Sequence, residues 1–88
     1  MGEGGNAMNE INGIVDIKEY GKVRVTIKEM MEKRSVTRNK LRSLTGVKYE
    51  VIDRYYKAQN IERVDLDFLA KVCFVLNCSI SDLLIYEK

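Results

Sequence analysis

The stretch that decides the fold runs from Val36 to Tyr55 and reads VTRNKLRSLTGVKYEVIDRY. Thr37 suits the N-cap of a helix, because its hydroxyl can accept a hydrogen bond from an otherwise unpaired backbone amide. Leu41 and Leu44 follow three residues apart, a helical spacing that predicts an inward position for both. Gly46 then stands where a left-handed residue commonly ends a helix. This half of the stretch predicts a short helix followed by a tight turn.

A second helix is predicted over residues 48–57, and its two faces differ in character. The inner face is apolar and consists of Val51, Ile52 and Tyr55. The outer face carries charged and hydrogen-bonding side chains instead. Two short helices joined by a tight turn, the second with a polar outer face, form the arrangement by which a helix-turn-helix motif enters the major groove of DNA. The stretch therefore predicts binding to double-stranded DNA.

The distribution of charge along the chain supports the same interpretation. The whole chain of 88 residues has a net charge of only +2. Residues 22–57 nevertheless hold eleven Lys and Arg against four acidic residues, a net charge of +7, whereas residues 1–21 carry −3 and residues 58–88 carry −2. A basic block that coincides with the two-helix stretch is typical of a surface that meets phosphate. A soluble protein with unevenly spread lysine is the alternative.

Composition argues against several classes of function. His is absent, which removes the commonest general base and the commonest metal ligand. The sequence shows no nucleophile paired with a base, no glycine-rich phosphate loop and no set of metal ligands, so we predict neither enzymatic activity nor a cofactor. Cys73 and Cys78 stand in an apolar run, which favours buried free thiols over a disulfide. A chain of 88 residues predicts one small domain.

The N-terminal part of the chain has a separate character. Residues 1–7 are small, polar and glycine-rich, and we interpret them as a disordered vector remnant ahead of a natural start at Met8. Residues 8–25 contain two β-branched runs, at 14–18 and 23–25, which predict either a short β-hairpin or an extended arm. The absence of a signal peptide and of a long apolar span predicts a cytoplasmic protein without membrane attachment.

Helical signals extend the predicted domain over residues 26–88. Thr26 and Glu29 fit a capping box that opens a first helix ending near Arg34. At the far end of the second motif helix, Asn60 is predicted to close the turn, because Asn tolerates positive φ better than most residues. These signals place three helices before residue 61.

Two further helices are predicted in the C-terminal third. Asp65 is expected to cap the fourth helix and Asn77 to end it. Its apolar stripe comprises Leu66, Leu69, Ala70, Cys73 and Leu76, widened by Phe68, Val72 and Val75. A capping box over Ser79–Asp82 then predicts a short fifth helix through Leu83, Leu84 and Ile85. Five short helices are enough for a compact all-α core.

These signals, taken in order, carry a resemblance to a known family. The residues concerned are Thr37-Arg38-x-x-Leu41-Arg42, Gly46-Val47-Lys48, Ile52, Leu66-x-x-Leu69-Ala70-Lys71-Val72-Cys73, Leu76-Asn77-Cys78-Ser79 and Asp82-Leu83-Leu84. In this order they resemble the phage-repressor and Cro-like helix-turn-helix domains, in register over residues 26–86. The resemblance implies a compact five-helix, lambda-repressor-like all-α domain. It also implies a sequence-specific transcription regulator that binds double-stranded DNA as a homodimer.

The chain departs from the family pattern at positions that bear on DNA binding. Arg42 stands where the family usually has Ala, so its stem must follow the surface with the guanidinium directed outward. Lys48 replaces the usual Ser cap of the second motif helix, and Arg38 replaces a Gln that usually touches the DNA backbone. Glu50 and Asp53 place two carboxylates on a helix meant to approach a polyanion, which lowers nonspecific affinity.

Site residues follow from the resemblance by position. Base reading is expected of Tyr49, Glu50, Asp53 and Arg54, and phosphate contacts are expected of Thr37, Arg38, Lys40, Arg42 and Lys48. Arg54 is the strongest candidate, because its guanidinium fork matches guanine O6 and N7. An ion pair between Arg54 and Glu50 on a solvated helix is the alternative. Tyr49 is expected to pack on a thymine methyl or reach a phosphate, or else to lie at the rim of the core.

Phe74 stands on the outer stripe of the fourth helix, where the family more often has a polar residue. Its exposure would predict a contact between subunits, with burial beneath the N-terminal hairpin as the alternative. Together with the acidic Glu50 and Asp53, it favours a second functional hypothesis, a protein-interaction module such as an antitoxin or a subunit of a larger complex. The two hypotheses share one fold and differ in the partner.

Overall fold

The computed structural model describes residues 19–88, which form four α-helices and a two-stranded antiparallel sheet. In chain order the elements are strand β1 (Lys22–Val25), helices α1 (Ile27–Lys33), α2 (Arg38–Thr45), α3 (Tyr49–Lys57) and α4 (Leu66–Leu76), a 3-10 helix (Ile80–Asp82) and strand β2 (Leu84–Glu87). The predicted N-terminal remnant and the β-branched run at 14–18 lie outside the described residues.

The turn between α2 and α3 confirms the predicted tight turn at Gly46. Gly46 adopts a left-handed conformation with φ of 76°, and its amide donates to the Arg42 carbonyl at 2.8 Å. The Thr45 hydroxyl donates to the Leu41 carbonyl at 2.7 Å and accepts from the Val47 amide at 3.2 Å. This hydroxyl therefore ties the last turn of α2 to the first residue after Gly46. At the other end of α2, the Thr37 hydroxyl caps the Lys40 amide at 3.1 Å.

The core lies between the four helices and the 3-10 helix. Its buried side chains are Ile27, Met30, Met31, Leu41, Ile52, Tyr55, Phe68, Leu69, Val72, Leu76 and Leu83. The Tyr55 and Phe68 rings stack with their centroids 4.4 Å apart, and the Tyr55 hydroxyl accepts a hydrogen bond from the Asp65 amide at 3.3 Å. This contact joins α3 to the N-terminus of α4. The inward positions of Ile52 and Tyr55 are as predicted.

The C-terminal segment differs from the sequence prediction. The capping interaction at Ser79 and Asp82 is present, with the Ser79 amide donating to the Asp82 carboxylate at 3.0 Å. It opens one 3-10 turn, however, and residues Leu84–Glu87 form β2 instead of a fifth α-helix. Ile85 and Tyr86 have high strand propensity, and β1 supplies a partner in the register Val23↔Tyr86 and Val25↔Leu84. The prediction of a fifth helix is therefore wrong. The local sequence did not indicate the strand, because its partner β1 lies about sixty residues earlier in the chain.

Thr26 joins the two ends of the described chain and does not cap α1. Its hydroxyl donates to the Asp82 carbonyl and its amide donates to the Leu83 carbonyl, each at 2.8 Å. The predicted capping box is therefore wrong, since the Thr26 hydroxyl and amide both bond to the C-terminal segment; only its carbonyl serves α1, accepting from the Met30 amide at 3.2 Å. Glu29, its expected partner, instead lies 3.6 Å from the Arg24 guanidinium.

Helix α4 begins and ends as predicted but is rotated relative to the expected apolar stripe. Asp65 caps its first turn through the Asp67 and Phe68 amides, and Asn77 ends it in a left-handed conformation. Leu66 and Ala70, both predicted to be inside, are exposed. The buried set is Phe68, Leu69, Val72 and Leu76. The stacking of Phe68 on Tyr55 explains this rotation, because it fixes which face of α4 meets α3.

Leu44, the end of α3 and the two cysteines also bear on the sequence predictions. Leu44, predicted to be inside, is exposed. Helix α3 ends at Ala58 in a left-handed conformation, two residues before the predicted Asn60, which also has positive φ. Cys73 and Cys78 are free thiols, as predicted, and are half-buried. The Cys78 amide donates to the Cys73 carbonyl at 3.1 Å, the long-range bond of a Schellman cap at the end of α4.

Substitution of Gly46 tests the turn. No heavy atom lies within 4 Å of a Cβ built at Gly46, so a side chain there meets no steric obstacle. Gly46→Ala should therefore lower the free energy of unfolding only through the left-handed backbone, by about 1–2 kcal/mol. Gly46→Asn is the matched control and should cost less, because Asn tolerates this conformation. Urea unfolding measures both; an Asn variant no more stable than the Ala variant would contradict the assignment.

Candidate nucleic-acid interface

The surface formed by α2, the turn and α3 collects the side chains that the sequence singled out. We call it the α2–α3 surface, and its members are Thr37, Arg38, Lys40, Arg42, Lys48, Tyr49, Glu50, Asp53 and Arg54. The turn at Gly46 places the N-terminus of α2 beside the middle of α3. As a result, Arg38 and Asp53, fifteen residues apart in sequence, form a hydrogen-bonded ion pair.

Arg38 is held from several sides. Its guanidinium contacts the Asp53 carboxylate and lies 4.2 Å from the centroid of the Tyr56 ring, with the Tyr49 ring at 5.9 Å. A guanidinium stacked on aromatic rings keeps its edge available for an oxygen acceptor. One third of the Arg38 side chain remains exposed. It is thus a preorganised cation at the first turn of α2, where backbone amides also favour an anion.

Asp53 is compensated by two cations. One carboxylate oxygen contacts Arg38, and the other lies 3.0 Å from the Lys57 ammonium. The hydrogen bond from Lys57, followed by that from Arg38, holds the pKa of Asp53 below its usual value, although partial burial acts in the opposite direction. Both oxygens of this carboxylate are therefore engaged within the protein. Its negative charge is largely offset before any polyanion approaches.

Arg54 and Glu50 are exposed on the outer face of α3. Both belong to the described part of the chain, and no ion pair joins them there. The Arg54 guanidinium instead lies 5.3 Å from the centroid of the Tyr55 ring. Glu50 occupies the first turn of α3, where a carboxylate is favoured by the helix dipole. Their roles in base reading stay predictions.

Three further cations are exposed, Lys40 and Arg42 on α2 and Lys48 at the start of α3. Within residues 19–88, none of them takes part in an ion pair. Lys48 occupies the N-cap of α3 in an extended conformation and provides no side-chain cap, as its replacement of Ser implied. The α2–α3 surface therefore presents uncompensated positive charge, which suits contacts to a phosphate backbone.

Comparison with known proteins agrees with this geometry. The sequence profile of the Cro/C1-type HTH DNA-binding domain matches residues 26–88. The chain belongs to the Cro/C1-type helix-turn-helix family. Among solved structures, it is similar to a candidate DNA-binding protein from Bacteroides fragilis, with 25% sequence identity and a TM-score of 0.62 over 72% of this chain and 98% of that one. No curated protein matches the chain significantly.

The structure of this Cro/C1-type domain also shows supporting residues that the sequence interpretation missed. Tyr56 forms the platform beneath Arg38, and its hydroxyl lies 3.5 Å from the Glu32 carboxylate of α1. The Lys28 ammonium lies 5.7 Å from the centroid of the same ring. The i,i+4 spacing of Asp53 and Lys57 could have indicated their ion pair, but nothing in the sequence indicated that Arg38 also contacts Asp53. That contact depends on the angle between α2 and α3.

Across residues 19–88, Cys, Asp and Glu side chains do not cluster in a way that could hold a metal ion. Over the same range, every helix is too short or too polar to cross a membrane.

The double pairing of Asp53 leads to a test on the free protein. Arg38→Ala and Lys57→Ala should each raise the pKa of the Asp53 carboxyl towards its usual value, and the double variant should raise it further, because each change removes one cation. The pKa is measured by following the Asp53 side-chain carbon by NMR across pH. Arg42→Ala, a cation of the same surface without contact to Asp53, is the control and should leave this pKa unchanged. An unchanged pKa in both single variants would refute the pairing.

Proposed function

We propose that this chain is a sequence-specific, DNA-binding transcriptional regulator that inserts α3 into the major groove. The observation that carries the proposal is that Glu50 and Arg54 are exposed on α3, together with the exposed cations Lys40, Arg42 and Lys48, which form no ion pair within residues 19–88. Family membership supports DNA as the partner. With α3 in the groove, the N-terminus and the cations of α2 would meet the phosphates, as in other helix-turn-helix motifs.

The proposed division of roles follows from which polar atoms are already engaged. Arg54 pairs with guanine through its fork, Glu50 accepts from a cytosine amino group, and Tyr49 contacts a thymine methyl or a phosphate. Phosphate contacts come from Thr37, Arg38, Lys40, Arg42 and Lys48. Asp53 differs from the others because both its oxygens have intramolecular partners. We assign it a positioning role, in which it holds Arg38 against α3.

The proposal includes assembly as a homodimer on a pseudo-palindromic site. A small helix-turn-helix unit reaches few bases, and two copies related by a twofold axis read two half-sites one helical turn apart. It also includes a cytoplasmic location and the absence of catalytic activity, as expected for a regulator of this family.

A protein-interaction module is the second candidate function. The observation that favours it is the exposure of Phe74, 88% of which is accessible on the face of α4 away from the core. Leu66 on the same helix is also exposed, and an exposed apolar patch, unlike a single residue, marks a protein contact. Such a module would bind its protein partner without needing the cations of the α2–α3 surface.

The DNA-binding proposal is tested in two steps. Duplexes that bind the full chain are first selected from a random pool, which returns a preferred sequence and the half-site spacing. Binding of that duplex and of a scrambled duplex is then measured by fluorescence anisotropy across salt concentrations. We expect affinity to fall steeply with salt, because bound phosphates release counterions. Failure to enrich any sequence, with no binding at moderate salt, would favour the protein-interaction module.

Two matched substitutions separate base reading from phosphate contact. Arg54→Ala should remove about 1–3 kcal/mol of discrimination between the selected and scrambled duplexes. Lys40→Ala should weaken binding to both duplexes alike and lower the slope of log affinity against log salt by about 1. The same measurements with the opposite outcome, a lost preference in Lys40→Ala and a uniform loss in Arg54→Ala, would reverse the two roles.

A further inference from the structure

The two cysteines of the chain, Cys73 and Cys78, lie on either side of the C-cap of α4. The Cys78 amide donates to the Cys73 carbonyl at 3.1 Å, and the Asn77 amide donates to the Phe74 carbonyl at 3.4 Å. These are the two backbone bonds of a Schellman motif, with Asn77 as its left-handed residue. A direct backbone hydrogen bond therefore joins the two cysteines.

The left-handed residue brings the cysteines within reach of a disulfide. In an uninterrupted helix, Cα atoms five residues apart are separated by about 9 Å, which is too far for a disulfide. Across the backbone hydrogen bond at this C-cap, covalent geometry limits the separation of the Cys73 and Cys78 Cα atoms to at most about 7 Å. Disulfides bridge Cα atoms about 4.4–6.8 Å apart. The conformation of Asn77 thus makes an unsuitable sequence spacing a suitable one.

The side chains of the two cysteines also meet. Side chains at these two positions of a Schellman motif commonly contact each other, and Cys73 and Cys78 both pack against the hydrophobic core. Burial, followed by the charge of the Cys73 thiol and hydrogen bonding with it, raises the pKa of the Cys78 thiol. The two sulfur atoms are therefore neighbours, and each side chain is only half-buried.

Contacts from other residues hold this C-cap in place. The Arg34 guanidinium after α1 donates to the Leu76 carbonyl at 2.8 Å and to the Asn77 carbonyl at 3.3 Å. Directly after the second cysteine, the Ser79 amide donates to the Asp82 carboxylate at 3.0 Å. None of these bonds involves a sulfur atom, so the two thiols are held close by the fold itself. Groups fixed in this way react with each other at a high effective concentration.

We propose that Cys73 and Cys78 form a reversible thiol–disulfide pair whose oxidised state locks the C-cap of α4. The inference goes beyond the proposed function and does not rest on DNA binding. Both cysteines are free thiols in the structure, which therefore represents the reduced state. The oxidant is a small disulfide of the glutathione type, which reaches half-buried thiols from the solvent.

Oxidation proceeds by two thiol–disulfide exchanges. One cysteine, once deprotonated, attacks a sulfur of oxidised glutathione, which forms a mixed disulfide and releases one glutathione as its thiolate. The other cysteine then loses its proton and attacks the protein sulfur of the mixed disulfide. This attack forms the bond between Cys73 and Cys78 and releases the second glutathione. Two protein thiols are thereby oxidised, one glutathione disulfide is reduced to two thiols, and the two protons pass through solvent to the released thiolates.

The disulfide restrains the segment that connects α4 to β2. Cys78 precedes the 3-10 helix, and the carbonyls of Asp82 and Leu83 accept hydrogen bonds from the hydroxyl and the amide of Thr26. A covalent bond at Cys78 therefore fixes the start of the segment that closes the domain against Thr26. Such a cross-link acts mainly by lowering the conformational entropy of the unfolded chain. Oxidation should slow the opening of this junction.

Equilibration of the full chain with glutathione is the first test. After incubation at defined ratios of reduced to oxidised glutathione, free thiols are trapped by alkylation and the products are identified by mass. We expect a disulfide within one chain, with an equilibrium constant roughly tenfold or more larger for the folded chain than for the chain unfolded in urea. The control combines Cys73→Ala with Phe74→Cys, which moves one sulfur to the exposed face of α4 and should remove this advantage. Glutathione adducts without the internal bond, or equal constants for the folded and unfolded wild type, would overturn the proposal.

Amide hydrogen exchange tests the effect on the junction. In the oxidised chain, the amides of Cys78 and Leu83 should exchange roughly tenfold or more slowly than in the reduced chain, because the cross-link opposes the opening that exposes them. Cys78→Ser cannot form the bond and is the control, which should exchange at the same rate in oxidising and reducing buffer. Equal or faster exchange of these amides in the oxidised wild type would contradict the lock.

Discussion

The left-handed turn at Gly46 is the constraint on which the rest of this structure depends. It reverses the chain between α2 and α3 within three residues, and the Thr45 hydroxyl fixes it by bonding on both sides of the glycine. With the angle between the helices set, Leu41 and Ile52 both enter the core. The same angle brings Arg38 against Asp53. Core packing and surface electrostatics therefore share one local backbone conformation.

Acidic residues are unfavourable on a helix proposed to face DNA, and the structure shows how the domain accommodates one of them. Asp53 forms ion pairs with Arg38 and Lys57, so its charge holds a cation in place and is offset within the protein. Tyr56 supports Arg38 from below. Glu50 has no such partners and lies exposed on the first turn of α3. The two acids therefore have different physical roles, although they are only three residues apart.

The sequence predicted the elements that local chemistry determines and failed where distant contacts decide. Helices α2 and α4 begin and end as predicted, at Thr37 and Gly46 and at Asp65 and Asn77. A cap is predictable because it depends only on residues close in sequence. Residues 84–87 became a strand, since β1 pairs with them from across the chain. The rotation of α4, with Leu66 and Ala70 outside, follows from the stacking of Phe68 on Tyr55. The sequence predicted that Arg42 is directed outward, and it is exposed, whereas the pairing of Arg38 with Asp53 required the fold.

The central claim is that the outer face of α3, positioned by the Gly46 turn, is the part of this domain that meets DNA. The most direct measurement is an NMR titration of the isotope-labelled full chain with a duplex selected from a random pool. The account predicts that the largest amide shift changes fall on residues 37–57 and that β1 and β2 change least. Changes concentrated in the sheet or on the exposed face of α4 around Phe74, with α3 unaffected, would contradict it.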